Sequence, residues 1–202
     1  PNLDPIIGGT VRERVEAEVP LPRVLMACRV PTYTDADFCA AEIAGSVLGT
    51  GRASRLYRSL VREWRVAKDV TSFVLPLTSG AGMLLAWATG FPEGDPAELE
   101  AALVAESEGL ASVTDQEIER AVALTETALV RQIEQVGERA DLVSMFDQLF
   151  DDPGRLNGEL ERLRAVTPAD VSAFVERFLG ADNRAVLTYV PETAKTPNPR
   201  GP

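Results

Sequence analysis

Arginines are the residues in this chain whose spacing best lends itself to chemistry. Arg55, Arg58, Arg62 and Arg65 recur along one short segment. At about 100° per residue of helix they form a stripe roughly 80° wide. Leu56, Tyr57, Leu60, Val61 and Trp64 take the other side. A helix divided in this way packs through its apolar face and presents guanidinium groups that can hold a carbonyl oxygen or an anion. For any single arginine a solvated basic face is the commoner outcome. Four on one face, with only Glu63 nearby, put an anion or carbonyl contact beside it as the alternative.

The other reactive residue types exclude more than they suggest. Histidine is absent, so the commonest general base and the commonest zinc ligand are missing and no His-dependent triad can form. Cys28 and Cys39 lack the close paired spacing of zinc or redox motifs. Cys28 is in phase with Val24, Met26 and Val30 on an expected strand, and Cys39 lies in an alanine-rich helix, so both read as buried reduced thiols. The carboxylates between residues 93 and 119 fall on polar helix faces or at helix starts, where they suit the dipole and read as solvating groups. No catalytic residue and no metal ligand is assigned in this chain.

These residues sit in an acidic protein of 202 residues, 45% hydrophobic, with net charge -11. The acidic field argues against nucleic acid as a partner. No apolar run approaches the roughly 20 residues that span a bilayer, so no membrane partner is expected. The start at Pro1, with no secretory segment, leads to the expectation of a fragment or processed chain, of cytoplasmic location.

The elements that must hold the arginine segment follow from pattern. Residues 1–10 read as a linker, 11–19 and 23–30 as strands, and 35–48 as a helix stopped by Gly49 and Gly51. Gly49-Thr50-Gly51 precedes a helix but lacks the Gly-Lys-Ser/Thr ending of a phosphate loop. Its role is to close one helix and aim the next. Residues 69–75 and 83–89 pair as a hairpin. Asp95-Pro96 starts a helix, and Thr114 with Glu117 forms a capping box for another that Gly137 kinks or ends. Helices reaching Phe150, over 156–164 and from Thr167-Pro168 to Leu179 lead to a closing strand at 185–190. Residues 191–202 form a proline-rich tail. The result is an α+β fold, a two-layer sandwich whose largely antiparallel sheet is covered on one face by helices, in a single domain over 11–190.

Residues 48–57 (LGTGRASRLY), Leu60-Val61-Arg62-Glu63, 166–171 (VTPADV) and 183–187 (NRAVL) resemble the second-half domain of the pitrilysin or insulinase family of zinc peptidases. The resemblance runs from about Val11 to Pro191. It implies two or more similar α+β halves enclosing a proteolytic chamber, with zinc held by H-x-x-E-H in the first half. A chain without histidine is not that half. The resemblance further implies an arginine and a tyrosine, seven residues apart, that hold the scissile peptide and its developing oxyanion. The arginine falls on Arg62 and the tyrosine position on Asp69, a departure, because a carboxylate accepts hydrogen bonds and repels an oxyanion.

The function so implied is that of the substrate-enclosing, non-zinc-binding C-terminal half of a zinc metalloendopeptidase, inactive alone, with zinc in the missing N-terminal half. Its implied partners are that N-terminal half or a paired subunit, a peptide substrate, and a further copy in a homo-oligomer. The alternative is a catalytically inactive family member that serves as a structural or substrate-capturing half, which the departure at Asp69 favours.

Overall fold

A computed structural model describes residues 7–192. Most of the expected linker and nearly all of the expected proline-rich tail therefore lie outside the described residues. Five strands form one sheet: β1 (Gly9–Ala17), β2 (Arg23–Val30), β3 (Ala67–Leu75), β4 (Gly82–Gly90) and β5 (Asn183–Pro191), in the order β1-β5-β2-β4-β3. Only the β1–β5 pair is parallel; the other three are antiparallel. The expected strand at 11–19 begins two residues earlier. The closing strand β5 inserts between β1 and β2, an arrangement that no local pattern encodes.

Strand β2 explains why the sheet has two unlike faces. Val24, Met26, Cys28 and Val30 are at most 1% exposed, whereas Leu25 and Ala27 between them are only partly buried. The pleat sends alternate side chains to opposite faces, so one face joins the core and the other does not. The same alternation places Leu84, Ala86 and Ala88 of β4 in the core and leaves Met83, Leu85 and Trp87 on the open side. That open side is apolar. Phe73 and Trp87 meet edge to face there at 5.5 Å, and Val11 is 57% exposed.

Helices close the core face. Helix α1 (Phe38–Gly49) is buried along ten of its twelve residues because it lies directly against β3 and β4, beneath later helices. Helices α2 (Pro96–Gly109), α3 (Asp115–Glu134), α4 (Val136–Phe150), α5 (Glu159–Arg164) and α6 (Pro168–Phe178) follow. Their starts are set by the expected residues: the Asp95 carboxylate accepts from Ala97 N at 2.9 Å, and Thr114 with Glu117 completes a capping box. Thr167 and Asp170 form a second box at α6. The break between α3 and α4 falls at Gln135, whose extended backbone ends one helix and starts the next just before Gly137.

Candidate substrate-contact site

The site begins where α1 ends against the sheet. A Cβ placed on Gly49 would lie 2.0 Å from the Ser72 backbone nitrogen, so only glycine lets α1 approach β3 this closely. Gly51, at φ +78°, then turns the chain in the left-handed region. Buried Ser54 ties the turn together, its hydroxyl donating to Gly51 O at 2.7 Å and accepting from Tyr57 N at 3.4 Å. The glycine turn thus closes one helix and aims the next.

The next helix is not α-helical. Tyr57–Glu63 is a π-helix, closed by Trp64 N donating to Ser59 O five residues back at 2.8 Å. A π-turn holds more residues than an α-turn, so the stripe expected at 100° per residue does not survive along this segment. Leu56 and Leu60 are fully buried as the apolar face requires, but Trp64 is 51% exposed. Arg65 carries a non-glycine φ of 57°, which turns the chain into β3.

The four arginines separate accordingly. Arg55 turns inward, its Nε and Nη2 each 2.8 Å from one oxygen of Glu117, with further bonds to the carbonyls of Gly109 and Ser112. Glu117 is therefore not a solvating carboxylate: it is 7% exposed, and the bond from Arg55, reinforced by Thr114, pulls its pKa down to about 2. Arg58, Arg62 and Arg65 remain exposed, and none of their guanidinium groups has a hydrogen-bond or ion-pair partner among the described residues.

Asp69 is the third residue of β3 and lies in register with Thr89 of β4, which is in turn opposite Arg23 of β2 and, beyond it, Tyr189 of β5. Arg23 Nε donates to Thr89 Oγ1 at 3.0 Å, and that hydroxyl donates to Asp69 Oδ1 at 3.1 Å. A cation, a hydroxyl and a carboxylate are thus linked across three strands. They line a concavity of about 380 Å³ with Val19, Leu21 and Tyr189. Nothing in the sequence marks Arg23, Thr89 or Tyr189, because only sheet register brings them beside Asp69. Arg62 lies on the π-helix that precedes β3 and is not among the residues that line this concavity.

Among the described residues no three His, Cys, Asp or Glu side chains converge as a cation site. Cys28 and Cys39 are free, buried and on separate elements, and burial pushes the Cys28 thiol up to about 11. No helix of the described residues is long and apolar enough to cross a membrane.

An uncovered apolar sheet face, a helix layer behind it and an irregular arginine-bearing helix at its edge define an α+β half-domain. The family profile described as the peptidase M16 inactive domain matches residues 1–125, and the chain belongs to that metallopeptidase family through its inactive, C-terminal type of domain. A protease from Helicobacter pylori superposes with a TM-score of 0.83 at 20% identity, over 94% of this chain and 46% of that one. The inactive peptidase domain of a Bordetella parapertussis protein classed as a zinc protease superposes with a TM-score of 0.76 at 23% identity, covering 90% of this chain and 99% of that one. The periplasmic protease PqqL from Escherichia coli gives 0.68 at 17% identity, over 92% and 21%. This chain thus spans about half the length of the Helicobacter protein. No curated protein matches it by sequence.

Proposed function

We propose that this chain is the substrate-enclosing half of a two-half zinc endopeptidase, in which the N-terminal half or a paired subunit holds the zinc through H-x-x-E-H. The observation that carries this reading is the open sheet face: its apolar side chains have no covering layer within the described residues, and Arg62 and Asp69 belong to the segment along one edge. A sheet face with exposed apolar side chains such as Val11 and Phe73 suits the packing or passage of another chain. In this reading Arg62 supplies a fixed cationic donor to a peptide carbonyl, while the other half supplies water activation. The cytoplasmic location expected from the sequence is retained as part of the proposal, although the related PqqL is periplasmic.

A second reading, a non-cleaving structural or capturing half, is favoured by one observation. Asp69, which the resemblance sets at the tyrosine position, accepts the Thr89 hydroxyl, so it offers no donor to an oxyanion. Combining the chain with a zinc-loaded half bearing H-x-x-E-H separates the two. Turnover of a quenched peptide by the pair, and by neither part alone, is expected. Equal turnover by the zinc-bearing half alone would leave only the structural reading.

A further inference from the structure

Resting on the reading of this edge as the substrate side, we infer that the cations around the π-helix select peptide segments rich in Asp and Glu. Residues 52–68 contain six cations and one anion in a chain whose net charge is -11. Arg55 is used internally by Glu117. Arg52, Arg58, Arg62, Arg65 and Lys68 are all exposed, and none of their side chains has a hydrogen-bond or ion-pair partner among the described residues. Carboxylates outnumber cations by 31 to 20, and elsewhere Arg12, Arg164, Arg177 and Arg184 each pair with one. The only acid within the segment is Glu63, and Asp69 beside it is bonded to Thr89.

The local backbone suits carboxylate capture. Arg58 and Arg62 are separated by four residues on a π-helix, which makes them neighbours on its surface, and Arg65 follows at a left-handed residue. Guanidinium groups match carboxylates in a two-point fork, so adjacent arginines read successive acidic side chains better than a diffuse positive field would. A nucleic acid fits less well. Beyond a Debye length of about 8 Å the patch is screened, and a long polyanion would run onto the acidic remainder of the protein. A short acidic peptide meets the patch alone.

Fluorescence anisotropy of this chain with two labelled peptides of equal length, one alternating Glu and Ala and the other Gln and Ala, tests the inference. At about 50 mM salt the Glu peptide should bind on the order of tenfold tighter, and the preference should shrink as salt rises. Changing Arg58, Arg62 and Arg65 together to Glu should remove the preference. Changing exposed Arg14, Arg131 and Arg139 to Glu alters net charge equally and should preserve most of it. Triple Gln variants of the same sites keep the comparison valid if charge reversal unfolds the chain. Equal binding of the two peptides, equal losses from the two triple variants, or tighter binding of a single-stranded oligonucleotide of matched charge would each overturn it. Loss of turnover on Arg62→Ala without any acidic preference would overturn this inference alone. An acidic preference in a pair without turnover would support it while removing the peptidase reading.

Discussion

Arg55 and Glu117, 62 residues apart in sequence, meet through two bonds of 2.8 Å and fasten the start of the π-helix to the capping box of α3. The arginine that looked like one member of an exposed stripe is a clamp, and the acid that looked solvated is its counter-charge. Leu56 and Leu60, on the segment that this clamp fastens, are fully buried.

Glu117→Gln would leave the Arg55 guanidinium largely buried without its counter-charge. A loss of about 3 to 5 kcal/mol of stability is expected in chemical denaturation. The acid limb follows from the same pair. The folded pKa of about 2 lies below the ordinary 4.5, so the contribution is complete above about 4.5 and is lost as pH falls toward 2. Wild-type protein should lose stability more steeply than Glu117→Gln over that range. Parallel pH profiles would remove the clamp from the account.

Leu60 and Trp64 were expected on one apolar face, and the π-helix separates them. Leu60→Ala should cost about 2 to 5 kcal/mol. Trp64→Ala should fall within about 0.5 kcal/mol, the range of a surface site. Equal costs would mean that the segment is wound as an ordinary α-helix.

Gly49→Ala should be destabilising although alanine favours helices. Its methyl would meet the Ser72 backbone at 2.0 Å, so either α1 or β3 must move. A cost of about 1 to 3 kcal/mol is expected from thermal or denaturant melts. A neutral or stabilising result would show that the two elements are further apart.

Much of this architecture was legible because it is local. Asp95, Thr114 and Thr167 announced their helices through hydrogen bonds within four residues, and β2 announced its buried face by alternation. The insertion of β5 between β1 and β2 was not legible, since strand order depends on contacts more than 150 residues apart. The Arg23–Thr89–Asp69 row was hidden for the same reason. The π-helix escaped because a period of 3.6 was assumed where i to i+5 bonding takes over. Arg62 and Asp69 are marked as site residues by family resemblance alone, since neither periodicity nor charge singles them out from their neighbours.

Asp69→Tyr in the assembled two-half protein would exchange an acceptor bonded to Thr89 for a hydroxyl donor. A rise in peptide turnover, on the order of tenfold, is expected if a missing oxyanion donor limits the reaction. Unchanged turnover would put this position outside the reaction.

The most direct test of the central claim is the kcat/KM of Arg62→Ala in the same assembled protein, measured beside its melting temperature. Removing a fixed donor that acts in the transition state should lower kcat/KM by about a hundredfold to a thousandfold, mainly through kcat, with melting unchanged. Arg131→Ala, an exposed arginine at the far end of α3, should leave both values as they are. Turnover of Arg62→Ala equal to that of Arg131→Ala, or a melting temperature that falls in step with activity, would contradict a substrate-contact role for Arg62.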